Sequence, residues 1–114
     1  MAVDGSGNAF VTGMFWVTVD FDPGAGVDER TSNGYTDSYV SSFTSSGDHR
    51  WVDSWGGKDN DSSNSVAADS DSFSYATGFY RYDVDFNPGD DVEMHTSNGV
   101  YDAFIVKYTP DGGW

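Results

Sequence analysis

Short stretches of the chain alternate apolar and polar residues with a period of two, and clusters of turn-forming residues separate them. Val17–Phe21 reads Val, Thr, Val, Asp, Phe and stops at Pro23-Gly24. Tyr35–Phe43 places Tyr39 and Phe43 at even spacing, and His49–Trp55 sets Trp51, Asp53 and Trp55 on one side. Ala9–Phe15 follows the turn Asp4-Gly5-Ser6-Gly7-Asn8. Successive side chains of a strand point to opposite faces, so this period predicts four strands in the first half of the chain. Asn33-Gly34 and Ser45-Ser46-Gly47-Asp48 are turn signals, and the Gly-, Asp-, Asn- and Ser-rich stretch Gly56–Ser65 is expected to be a loop.

The same pattern is written twice. Shifted by 65 residues, Ala2–His49 aligns with Ala67–Trp114 without a gap. Asp20-Phe21-Asp22-Pro23-Gly24 falls on Asp85-Phe86-Asn87-Pro88-Gly89, and Thr31-Ser32-Asn33-Gly34 on Thr96-Ser97-Asn98-Gly99. Loops normally drift in length, so a gap-free register points to duplication. The chain divides on this register into residues 2–66 and 67–114. The second unit has counterparts for three predicted strands, near Ser74–Tyr80, Tyr82–Phe86 and Tyr101–Tyr108, but none for His49–Trp55. An unpaired edge of this kind invites pairing with another chain.

Composition sharpens the class. Of 114 residues, 17% are aromatic, none is Leu and only Ile105 is Ile, while Val, Thr, Tyr, Phe and Trp abound. Aromatics at this level oppose disorder, and the mixture favours an all-β fold. Nineteen acidic residues against five Lys and Arg give a formal net charge of −14. That balance opposes binding to nucleic acid, which depends on basic groups displacing counterions. It opposes an anionic membrane surface equally, and no apolar run is long enough for membrane insertion. The first residues carry neither a basic nor an apolar leader pattern, so no signal peptide is expected in this stretch. Without cysteine there is no disulfide, thiolate chemistry or Cys-based zinc site.

Ala2–Gly13, Val19–Gly24 and Tyr101–Lys107, together with Trp51 and Trp55-Gly56-Gly57, resemble bacterial β-propeller repeats of the SBBP type. A blade of that family carries a Gly-Asn turn leading into a Val-Thr-Gly strand, then Tyr-Asp-Ala-Phe, then a Trp strand ending in Trp-Gly-Gly. Ser41-Ser42 and Ser70-Asp71-Ser72-Phe73 depart from the pattern and put the local turn geometry in question. The resemblance implies four-stranded antiparallel blades, the second lacking its fourth strand. It also implies a non-enzymatic scaffold in an extracellular or cell-surface protein, whose partners are further blades. Two blades do not close a ring of four to eight. The expected partner is therefore the chain itself, as a homo-oligomer of three or four copies, or neighbouring blades of a longer chain. Trp51 and Trp55 then belong to the packing core.

Three sets of residues could carry chemistry. Asp59-Asn60-Asp61 opens like a calcium loop, though Asn64 stands where an EF-hand needs Gly and Ser70 where it needs Glu. The other reading is a solvated loop between repeats. Asp20 and Asp22, with Asp85 and Asn87 as repeat partners, sit on alternate strand positions roughly 7 Å apart. They suit a hard cation such as Ca2+, with Phe21 and Phe86 turned into the core. A feature present in both units is more simply a turn cap before Pro-Gly, and catalysis by this pair is the least favoured of the three readings. Trp16 has Arg81 as its counterpart, which makes it the candidate for an exposed ring that binds glycan. His49 and His95 do not correspond in the repeat and are expected at the surface. The function expected is structural and self-associating, with a calcium- or carbohydrate-binding module as the alternative and no enzymatic activity.

Overall fold

A computed structural model describes all 114 residues. Eleven strands, with the isolated bridge residues, account for 52% of the chain, and there is no helix. They are β1 (Ala2–Val3), β2 (Ala9–Phe15), β3 (Thr18–Asp20), β4 (Glu29–Thr31), β5 (Asp37–Phe43), β6 (His49–Trp55), β7 (Ser62–Ala68), β8 (Ser74–Tyr80), β9 (Asp83–Asp85), β10 (Met94–Thr96) and β11 (Asp102–Tyr108). The fold is all-β, built from antiparallel sheets with no closed barrel.

Sheet one has the order β1-β2-β5-β6 and sheet two the order β11-β8-β7. Two ribbons complete the molecule, β3 with β4 and β9 with β10. The 65-residue offset carries β2 onto β8, β5 onto β11, and the first ribbon onto the second. Register follows it too: Thr12 faces Val40 as Thr77 faces Ile105.

Local hydrogen bonds explain why the turns repeat. Asp4 Oδ1 accepts from the amides of Ser6 and Asn8, and Asp69 Oδ1 from those of Asp71 and Phe73. An Asp bonding its own backbone two residues on is a standard turn former. The turn also needs one residue in the left-handed region, and Gly7 supplies it with φ 85°. Its counterpart Ser72 takes the same conformation, φ 66°, so the departure from the repeat pattern changes the residue and keeps the geometry.

Three expectations are corrected. Ser62–Ser65 is not loop: with Val66–Ala68 it forms β7, and a register shift between Ser63 and Ser65 leaves Asn64 unpaired. Serines and one Asn hid the strand, because its pairing with β8 rather than its own apolar content holds it. Val17–Phe21 does not join the main sheet; only Thr18–Asp20 is strand, and it pairs with Glu29–Thr31 in a ribbon the alternation did not reveal. The fourth strand of sheet one is instead the two-residue β1. His49 is not at the surface, since its side chain is 9% exposed and Nε2 lies 2.9 Å from Asp28 Oδ2.

The two sheets bury one face of each against the other. The core between them contains Val40 and Trp55 of sheet one, and Ala76, Phe104, Val106 and Tyr108 of sheet two. Val84 and Phe86 of the second ribbon close one end. Trp55 meets Phe104 edge to face at 5.6 Å and Tyr108 at 5.8 Å, while Trp51 lies 6.0 Å from Tyr108. Such aromatic pairs contribute about 0.5–1.5 kcal/mol each beyond their burial.

Candidate interaction surfaces

Strand alternation sorts each sheet into two faces. On β11, Phe104, Val106 and Tyr108 are buried, while Ala103, Ile105 and Lys107 are exposed. The buried set meets sheet one. Within sheet one the face meeting it carries Phe10, Val40 and Ser42, all at 0% exposure, with Trp51 and Trp55 from β6. Thr12 donates its hydroxyl to Tyr39 O and lies 2.6 Å from Ser63 Oγ, which ties sheet one to β7. The sheets therefore meet through unlike faces. Backbone bridges add to this: Thr36 to Asn60, just ahead of β5 and β7, and Gly56 at the end of β6 to Asp85 of the second ribbon.

The repeat relates buried positions to more open ones, except at Phe15, which is buried like its counterpart Tyr80. Val40 is 0% exposed and its counterpart Ile105 is 74% exposed. On the other side, Tyr80, Val84, Phe86 and Phe104 are buried in the core, and their counterparts are Phe15, Val19, Phe21 and Tyr39. These four line an apolar groove together with Met14, Trp16 and Val17, the last three exposed. Phe15, Phe21 and Tyr39 pack on one another at 4.7–6.3 Å, the geometry that Tyr80, Phe86 and Phe104 adopt in the second unit. Trp16, 61% exposed, stands at the rim of this groove. The corner beside it is strained in both units: Val17 has φ 57° and Tyr82 φ 61°, and their amides donate to Ser32 Oγ and Ser97 Oγ.

The carboxylates singled out above are engaged in loop hydrogen bonds. Asp20 Oδ1 accepts from the amides of Asp22 and Asp28, and Asp22 Oδ1 from Gly24. Asp85 and Asn87 repeat this arrangement with Asn87, Glu93 and Gly89. Backbone donors from Asp28 and Asp22 lower the pKa of Asp20. Asp61 is fully buried; burial raises its pKa, while the amides of Gly57 and Arg81 bond its two oxygens and draw it down. Asp59 pairs with Arg81 at 3.4 Å. No three His, Asp or Glu side chains come together closely enough to hold a metal ion. Phe86 is buried, Phe21 half-buried, Trp55 buried and Trp51 half-buried against the core.

Two further acids sit inside the molecule, and sequence reasoning passed them over as strand residues. Burial lifts Asp37 to about 6 against the two hydrogen bonds from Asn33, with the Asp61 charge pushing the same way. Burial also lifts Asp53 to about 6, opposed by Arg30 and supported by Asp28. Asp37 Oδ1 and Asp53 Oδ2 have no hydrogen-bond partner. Gly56 is glycine because a Cβ there would lie 2.3 Å from the Asp37 carboxyl carbon. A second pocket, bounded by Phe86, His95, Phe104, Ile105 and Trp114, has Glu93 and His95 as its ionisable pair, 2.8 Å apart and half exposed.

Against known proteins, no family model, curated protein or solved structure matches the chain.

Proposed function

We propose that this protein is a non-enzymatic scaffold whose two sheets are blades of a β-propeller and which assembles through blade–blade and edge-strand contacts, in an extracellular or cell-surface setting. The observation that carries this reading is the sheet-on-sheet core around Val40, Trp55 and Tyr108, formed between two copies of one sequence unit. Repeat proteins bury each unit's face against its neighbour and expose the same face at the last unit, as Ile105 is exposed here. β11 and β6 are edge strands, with backbone groups available to another strand.

Support for a scaffold over an enzyme comes from the repeated acids Asp20 and Asp85, whose carboxylates are occupied by loop amides in both units, as a structural turn requires. Solution mass by light scattering, with calcium and then with a chelator, tests the reading. A trimer or tetramer supports assembly, and its dissociation on chelation would place a cation between copies. A folded monomer at every concentration overturns self-assembly.

A further inference from the structure

Inside the chain, sheet one offers the face with Phe10, Thr12 and Val40, and sheet two receives it on the face with Ala76, Tyr80 and Phe104. Offsetting by 65 residues names the two faces left open. Sheet two offers Tyr75, Thr77 and Ile105, and sheet one can receive on the half-buried Val11 and Tyr39, with Phe15 already buried beneath Phe21 and Tyr39. We propose that a second copy of this chain seats its Ile105 face on the Val11–Phe15–Tyr39 face of the first, in a head-to-tail contact that repeats the internal one. This inference rests on the self-assembling reading and specifies the surfaces that reading leaves unnamed.

The partner follows from chemistry already realised once. Four receiving side chains have counterparts of similar shape in the core, Tyr80 for Phe15, Phe86 for Phe21, Phe104 for Tyr39 and Val84 for Val19, while Val11 has the smaller Ala76. On the offered side, Ile105 stands for Val40, Tyr75 for Phe10, and Thr77 for Thr12. A side chain 74% exposed at the centre of a strand, whose repeat partner is 0% exposed, marks a face built for cover. Two unlike faces cannot pair by a two-fold axis, so the contact is heterologous and leaves both faces open again on the outer copies. Tyr75 and Phe73 hold the Lys107 ammonium at 5.4 and 4.3 Å, which keeps the only cation of this face off the apolar centre. The net charge of −14 on each copy opposes approach, and salt within physiological range screens it to about 8 Å.

Two variants of the whole chain decide the matter. Ile105→Glu removes the offered face and Val11→Glu the receiving face; circular dichroism and melting verify that each is folded. If Val11→Glu fails to fold, Ala9→Glu on the same face replaces it. Expected by light scattering in physiological salt are an assembling wild type, two monomeric variants, and a 1:1 mixture that sediments at twice the monomer mass. The mixture recovers mass because one variant keeps the receiving face and the other keeps the offered face. A Val11→Glu protein that pairs with itself while Ile105→Glu does not would show a symmetric contact and overturn the proposal. Variants that both assemble like wild type would also overturn it, leaving the scaffold reading to the edge strands. A monomeric wild type overturns the contact and the self-assembling reading together.

Discussion

Residues forced into the left-handed region store strain that the repeat makes visible. Gly7 fits its turn, whereas Ser72 occupies the equivalent position at φ 66° with a side chain. Ser72→Gly relieves that strain but removes the hydroxyl that bonds Asp4. Read from the denaturant midpoint, stability should rise by less than the ~0.5–1 kcal/mol that the backbone alone would give, and the whole gain should appear only below the Asp4 pKa. Val17 is the more costly case, because a β-branched residue at φ 57° is a true outlier, and 65% exposure means little burial is lost on truncation. Val17→Gly should stabilise by about 1 kcal/mol. The buried acids act in the opposite sense from ordinary carboxylates. Asp37 and Asp53 keep their protons to about pH 6 when folded and release them near 3.8 when unfolded. The folded state thus binds more protons in between, and stability is highest below that window and falls as pH rises through it. Asp4 has the reverse effect: although its desolvation works against this, hydrogen bonds from Ser72, Asn8 and Ser6 hold it at about 2, and its contribution is lost only as pH falls from 3.8 towards 2. Melting temperature should therefore rise between pH 7 and pH 5, and the slope should flatten in Asp37→Asn and Asp53→Asn.

At the level of strands, one repeat position is tested twice by the same substitution. Val40→Ala, inside the core of β5, should cost about 2 kcal/mol. Ile105→Ala, its counterpart on β11, should change the stability of the isolated chain by less than about 0.5 kcal/mol. Trp55→Ala should cost about 3–5 kcal/mol, because its ring meets both Phe104 and Tyr108. Denaturant titration of the three variants separates them. The all-β class and the strands β2, β5 and β6 were legible from alternation, since each carries large side chains on one face. β7 was not, because Ser62–Ser65 has no apolar rhythm and owes its place to the ladder with β8. The ribbon strand β4 escaped for another reason: Glu29-Arg30-Thr31 is held by pairing with β3 and by Arg30 bonding to Asp28 and to Val52 O. The residues Asp20, Asp22, Asp85 and Asn87 were legible as a repeated pair, but only the loop amides around them reveal what their oxygens bond. The docking faces needed both levels, the repeat to relate positions and the fold to show which copy of each is covered.

For the whole molecule, unlike faces at opposite ends give the chain a direction. Should the rotation between neighbouring sheets divide a full turn evenly, three or four copies meet and no open face remains. Where it does not, each added copy presents the same Ile105 face that the last one covered, and growth continues as a fibre. An Ile105→Glu chain can still receive a wild-type copy on its Val11 face but can no longer be received by one. Mixed into wild type at a few per cent, it becomes a chain stopper: it would shorten fibres in proportion to its dose, while a closed ring would merely exclude it.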